Sequence, residues 1–163
     1  MTRLNDLLAS LLRVLLTVLM GLLIVPVVLQ IASRFITAMP HFIWTEEVAR
    51  FCFIWVIMIG ATVAVRDGAH FTLDLFARPG SARWIAIGRL LVHGAMLIVA
   101  GIFVWFGYSF ARFGFAQQSE LTGLNMAAIH VAWPLAGGLI TLFLVEKIWA
   151  DLALLRKDAR GRP

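Results

Sequence analysis

The sequence predicts an all-α integral membrane protein with four transmembrane helices and with both termini in the cytoplasm. Of its 163 residues, 61% are hydrophobic and only 14% are charged. A soluble domain carries about 25% charged residues, so this deficit indicates a protein that faces lipid. Uncharged runs at 14–33, 90–111 and 121–145 each reach the roughly 20 residues that cross a bilayer core of about 30 Å.

The first predicted transmembrane helix covers about residues 12–35. Its uncharged run is longer than the roughly 7–15 apolar residues of a signal peptide, and no small-x-small cleavage site follows it cleanly. We therefore interpret it as a retained helix. The leucines of residues 2–12 lie along one side, which fits an amphipathic interfacial helix on the membrane surface and fits equally a simple extension of the first helix.

The second predicted helix, about residues 44–66, is unusual because its uncharged run covers only 51–65. At about 1.5 Å per residue this run measures roughly 22 Å, which is too short to cross a bilayer. The helix must therefore begin near Trp44 and carry charged side chains at or just inside the membrane interface. Arg66 ends the helix in the cytoplasmic headgroups, and Gly68 supplies a flexible exit.

The charged residues at the start of the second helix predict ion pairs. Glu46 and Arg50 are four residues apart and Glu47 and Arg50 are three apart, so each carboxylate can reach Arg50 on one helical face. Two carboxylates against one guanidinium leave one negative charge, and Arg34 at the end of the first helix is the remaining partner. We predict that Arg34 lies within salt-bridge reach of Glu46 or Glu47. The alternatives are pairing against a partner subunit and a hydrated interfacial cluster.

A short amphipathic segment after the second helix contains His70 and Asp74 and is expected to lie along the membrane interface. These two side chains are too few ligands for a closed zinc site, so we predict no metal site. The third and fourth helices cover about residues 86–112 and 122–148. We interpret residues 1–163 as a single membrane domain.

Positive charge is distributed unevenly along the chain. Eleven of the fourteen Lys and Arg residues lie in the N-terminal segment, in the loop between helices two and three, and in the C-terminal tail. The positive-inside rule places these three segments in the cytoplasm, which predicts a multi-pass protein of the bacterial inner membrane. Contact of the basic tail with anionic lipid explains the net charge of +5 without a nucleic-acid partner.

The centres of helices one, three and four contain no Asp, Glu, Lys or Arg. Proteins that move ions or protons place such groups inside their spans, so the sequence argues against an autonomous pump. We predict no catalytic residues and no cofactor, and therefore no enzyme. His93 and His130 raise the alternative of a haem-binding anchor subunit of a redox complex, but their expected depths differ by roughly 10 Å, which is awkward for one porphyrin.

A specific residue pattern runs from the end of the first helix to the segment after the second: Arg34, Trp44, Glu46, Glu47, Arg50, Trp55, Gly60, Arg66, Gly68, His70 and Asp74. This pattern resembles the small permease subunit of tripartite ATP-independent periplasmic (TRAP) transporters, the DctQ-like family. In length, number of spans and orientation the resemblance covers nearly the whole chain. Asn125 and Ala127 depart from the Pro and Trp that the family often has before the last helix, whereas Pro134 fits.

The resemblance implies a division of labour among three proteins. A soluble periplasmic solute-binding receptor captures an organic acid, and a large permease subunit moves it by an elevator motion that a sodium gradient drives. The small subunit binds beside the large permease and enlarges its fixed scaffold, and it offers periplasmic surface to the receptor. The residues of the pattern would then be structural or would lie at a partner interface.

Overall fold

A computed structural model describes residues 2–36, 43–68 and 82–159. The described residues form helices and turns without a named strand, which confirms the predicted all-α membrane fold. Four helices are long and apolar enough to cross a membrane. The helices are α1 (Thr2–Phe35), α2 (Trp44–Asp67), α3 (Ala82–Phe115), α4 (Ala127–His130) and α5 (Ala132–Ala159).

α1 is one continuous helix of 34 residues, about 51 Å long at 1.5 Å per residue. It begins at Thr2 and not near residue 12, so the N-terminal leucines extend the first helix. The buried residues Asn5, Ala9 and Leu12 explain the continuity, because they pack the first turns of α1 against the rest of the protein.

α2 begins at Trp44, as the shortness of its uncharged run predicts. It ends at Asp67, and Gly68 follows in the left-handed conformation with φ of 72°. The N–H group of Gly68 points back to the carbonyl of Ala64 in the last turn, which is a common way to end a helix. The predicted exit at Gly68 is thus a tight helix cap.

The last transmembrane segment begins later than predicted, at Ala127 and not near residue 122. The preceding residues form a turn in which Ser119 donates its N–H to the Leu124 carbonyl at 2.8 Å. The Asn125 side-chain oxygen accepts a hydrogen bond from the Ala127 N–H at 2.8 Å, so Asn125 caps the segment. α4 and α5 are continuous in space but are separated at Val131, because Pro134 has no N–H to donate to His130.

The long helices are arranged in an open row with the order α1, α2, α5, α3. α1 packs mainly on α2, α2 on α5, and α5 on α3. In the described part of the chain α1 and α3 lie at the two ends of the row, and only a small share of each spanning window is buried. The largest fully buried side chains, Phe143 and Leu144, belong to α5 in the middle.

Close approach between α3 and α5 depends on glycine. A Cβ atom at Gly137 would lie 2.8 Å from the Ala100 carbonyl oxygen, and one at Gly107 would lie 2.9 Å from the Pro134 ring. These two glycines allow the backbones to approach, as small residues do in membrane helix pairs. Nothing lies within 4 Å of such an atom at Gly94 or Gly101, so these two glycines do not serve the internal packing.

Candidate functional site

A polar network joins the helices at the end of the row where α2 terminates. The Arg66 guanidinium donates to a carboxylate oxygen of Asp6 on α1 and, at 3.1 Å, to one of Glu146 on α5. The Asn5 amide donates to the same Glu146 oxygen. The Arg66 guanidinium also lies 5.6 Å from the centre of the Phe143 ring. Arg66 therefore connects α1, α2 and α5.

Further bonds surround Arg66, and we call this whole region the charged end. The Lys147 ammonium donates to the Val65 carbonyl at 2.6 Å, in the last turn of α2, where carbonyl groups lack their usual partner four residues further along. The His93 ring pairs with the Asp151 carboxylate at 2.8 Å and joins α3 to α5. The charged end comprises Asn5, Asp6, Arg13, Arg66, Asp67, His93, Glu146, Lys147 and Asp151, with Arg13 and Asp67 forming an exposed salt bridge.

Sequence reasoning identified Arg66 as a helix terminus but missed its partners. Asp6 and Glu146 are separated from Arg66 by 60 and 80 residues, so no local spacing reveals the pairing. One sequence signal could have found this pairing: Asp6, Arg66 and Glu146 all lie near the same predicted end of their helices. The positive-inside rule counts only Lys and Arg in each segment, so it does not register the acidic residues that lie beside them.

At the opposite end of the row, which we call the loop end, the ends of α1 and α2 border a cleft of about 750 Å³. Arg34 and Glu46 both line it. The predicted salt bridge is wrong, because no described ion pair joins Arg34 to Glu46 or Glu47. Both lining charges are exposed, and an ion pair between solvated side chains gains little over hydration.

Glu47 and Arg50 are also not paired in the part of the chain that the structure describes. Glu47 is only 2% exposed, and its Oε2 atom has no hydrogen-bond partner in the described structure. Arg50 is exposed, which agrees with the tendency of a long basic side chain to reach the interface. The predicted pairing of both carboxylates with Arg50 is therefore wrong.

Three other residues of the pattern lie within helix contacts or at the interface. The Trp55 indole N–H donates to the Ala128 carbonyl at 2.9 Å and so connects α2 to α4. Gly60 faces α1, where a Cβ atom would lie 3.9 Å from the Leu16 side chain. Trp44 is partly exposed in the first turn of α2. His70 and Asp74 lie outside the described residues.

The two histidines that raised the haem alternative lie far apart. His130 stacks on the Phe110 ring with centroids 3.8 Å apart, while His93 pairs with Asp151 at the charged end. Phe110 and His93 are separated by 17 residues of α3, or about 25 Å at 1.5 Å per residue. The two imidazoles therefore cannot ligate one haem iron.

The chemistry available in the described structure is structural. Arg66 and Lys147 are engaged in bonds between helices, and no group of three or more His, Cys, Asp or Glu among the described residues could hold a metal ion. These bonds hold α1, α2 and α5 together at the charged end.

Comparison with known proteins supplies the family. Residues 23–154 match the family model described as tripartite ATP-independent periplasmic transporters, DctQ component. The sialic acid TRAP transporter small permease protein SiaQ of Vibrio cholerae serotype O1 is 25% identical over 139 residues, which cover 84% of this chain and 79% of SiaQ.

Two further relatives agree. A candidate TRAP transporter small permease protein of Haemophilus influenzae is 29% identical over 92 residues, and the match spans 55% of this chain and 54% of that protein. The isethionate TRAP transporter permease protein DctMQ of Oleidesulfovibrio alaskensis is 24% identical over 108 residues, covering 65% of this chain and 17% of DctMQ. Since the family match covers most of the sequence, the chain belongs to the DctQ family of tripartite ATP-independent periplasmic transporters and is a multi-pass membrane subunit of such a transporter.

Proposed function

We propose that this subunit enlarges the fixed scaffold of the large TRAP permease during sodium-driven uptake of an organic acid, which a periplasmic receptor delivers. The observation that carries the proposal is the absence of Asp, Glu, Lys and Arg from the stretches 14–33, 90–111 and 121–145. Three of its four spans thus lack such groups, and those of α2 lie near the ends of that helix, so the chain has no charged groups at mid-membrane of the kind that couple ion movement to solute movement. The large permease must therefore supply the motive step.

The charged end supports the same function. Its arginine and lysine side chains bond to other helices of this chain, which makes the region rigid. A rigid unit suits a scaffold against which a mobile transport domain moves. We propose accordingly that residues 1–163 form one membrane domain, that the chain is not an enzyme, and that its partners are the large permease, the receptor and membrane lipid, with no role for nucleic acid.

We propose the inner membrane as its location, with both termini in the cytoplasm. Asn5 near the start of α1 bonds to Glu146 on α5, so both terminal segments lie at the charged end. The three sequence segments that contain or adjoin the residues of the charged end hold eleven of the fourteen Lys and Arg residues, which favours the cytoplasmic side. Similarity does not identify the substrate of this chain, because one relative of 25% identity is named for sialic acid and another of 24% identity is named for isethionate.

Co-purification tests the proposed partnership. The chain is co-expressed with an affinity-tagged large permease of the same transport system and extracted in a mild detergent. We expect the chain to elute with the tagged permease in a one-to-one ratio and to be absent when an unrelated tagged membrane protein replaces it. Elution of the permease without the chain would contradict the proposal.

A further inference from the structure

The cleft at the loop end combines charged and apolar walls. Its charged lining includes Arg34 of α1 and Glu46 of α2, both of which are exposed. Its apolar lining includes Ile31, Phe35 and Ile43. The volume of about 750 Å³ falls within the range of roughly 300–1,000 Å³ that is typical of small-molecule sites. A concave site of this size fits a small charged group better than the broad surface of a folded protein.

The cleft lies at the level of the lipid headgroups. Arg13 and Arg34 bound the uncharged part of α1. The rise from one to the other is about 31 Å at 1.5 Å per residue, which matches a hydrocarbon core of about 30 Å. Arg13 belongs to the charged end, so Arg34 lies at the opposite membrane surface. Trp44, next to the cleft residues of α2, is partly exposed there, as is common for indole rings at the interface.

The two charges of the cleft are not paired with each other. No ion pair among the described residues engages Arg34 or Glu46. Opposite charges that line one cleft without pairing complement a ligand that carries both a negative and a positive group. A guanidinium binds a phosphate through two parallel hydrogen bonds, and a carboxylate accepts hydrogen bonds from an ammonium group. The cleft therefore offers one site for each charge of a zwitterion.

Gln30 adds an unpaired hydrogen-bond donor to the same cleft. This residue lines the cleft, and its Nε2 atom is shielded from water without a hydrogen-bond partner in the described part of the chain. An amide donor in such surroundings is unfavourable until it finds an acceptor. A turn of the flexible side chain towards a phosphate oxygen in the cleft would supply the missing hydrogen bond.

We propose that the cleft binds the headgroup of a zwitterionic phospholipid that carries a phosphate and a primary ammonium group. Arg34 and Gln30 donate hydrogen bonds to the phosphate, and Glu46 accepts hydrogen bonds from the ammonium group. The acyl chains leave the cleft past Ile31 and follow the exposed apolar side of α1 at Val28. A lipid is favoured over a soluble zwitterion because the cleft lies at headgroup depth and its apolar lining continues into this lipid-facing side of the helix.

Native mass spectrometry of the full chain in detergent tests the chemistry of the ligand. Three phospholipids with the same acyl chains but with phosphoethanolamine, phosphocholine or phosphoglycerol headgroups are added at equal concentration. We expect the phosphoethanolamine lipid to be retained several-fold more than the other two. Phosphocholine has no N–H donor for Glu46, and phosphoglycerol has no cation. Equal retention of the three lipids, or a preference for either of the other two, would overturn the inference.

Substitutions at the two charges separate the two halves of the headgroup. We expect Arg34→Gln to reduce retention of the phosphoethanolamine lipid several-fold. Glu46→Gln should lower its retention to that of the phosphocholine lipid, whose own retention should not change. Arg112→Gln and Glu120→Gln are the controls, because both residues are exposed near the loop end but do not line the cleft. The same loss of retention in these controls would contradict a specific site.

Photo-labelling in the complex with the large permease locates the lipid. A phosphoethanolamine lipid with a diazirine close to its glycerol group is added, and labelled peptides are identified by mass spectrometry. We expect Glu46→Gln to reduce labelling of the α1 residues 28–35 several-fold and to leave labelling at Ile98 of α3, which is 68% exposed, unchanged. Labelling of α1 that is equal with and without the substitution, or labelling of the permease alone, would overturn the inference.

Discussion

Arg66 is the side chain on which the charged end depends. It reaches carboxylates on both neighbouring helices, and only 16% of its side chain is exposed. A hydrogen bond to a charged group is stronger than a hydrogen bond between two neutral groups. When one partner is removed, the other stays buried without the hydrogen bond that compensated for its loss of water. The contribution of Arg66 therefore exceeds that of an ion pair in water.

We predict that Arg66→Ala destabilises the protein by about 2 kcal/mol, because Glu146 then loses its ionic partner in a half-buried position. Arg13→Ala is the matched control, since the Arg13 and Asp67 side chains are 53% and 41% exposed. Its cost should be no more than about 0.5 kcal/mol. Thermal unfolding in detergent measures both, and equal losses of stability would show that the network around Arg66 has no special role.

The residue pattern also shows where sequence reasoning failed. The spacing of Glu47 and Arg50 permits a pair on an isolated helix, but the fold buries one and exposes the other. The expected bridge from Arg34 depends on how closely α1 and α2 approach at the loop end, and a cleft lies there. Local spacing could predict which charges lie at the interface but not which partners the packing brings together.

At the scale of the helices, the first and last residues of the transmembrane segments were predicted from the positions of charged residues and from the length of each uncharged run. The short uncharged run of α2 correctly predicted a start at Trp44. The first spanning segment was predicted from about residue 12 because Arg13 ends its uncharged run, and of the two interpretations of residues 2–12 the extension of the first helix is the one confirmed. The charges at Asp6 and Arg13 bond to α2 and are compatible with a continuous helix. The last span was predicted too early because the turn before Ala127 is itself uncharged.

The contact between α3 and α5 yields a prediction from two adjacent glycines. Gly137→Ala would bring a methyl group within 2.8 Å of the Ala100 carbonyl, so the helices must separate. We expect a loss of about 1–3 kcal/mol, as for other overpacked cores. Gly138→Ala is the control, because nothing lies within 4 Å of its added atom, and it should unfold at the temperature of the unsubstituted chain. A lower unfolding temperature for Gly138→Ala than for Gly137→Ala would contradict the described packing.

At the scale of the whole molecule, the open row explains how a chain of this size can act as a scaffold. α2 and α5 form its centre, and α1 and α3 present apolar faces outwards in the described structure. A closed bundle would satisfy its own packing, whereas a row leaves broad surfaces for lipid and for a partner. The fold class and the family could be predicted from hydropathy and the residue pattern, but the order of the helices required the tertiary structure.

Reconstituted uptake tests the absence of a transport site most directly. Vesicles containing this chain alone, the large permease alone or both are given the loaded receptor and an inward sodium gradient, and accumulation of labelled substrate is measured. We expect accumulation only when both subunits are present, because the stretches 14–33, 90–111 and 121–145 of this chain contain no charged group that could couple sodium to solute movement. Sodium-dependent accumulation in vesicles that contain this chain alone would contradict the account.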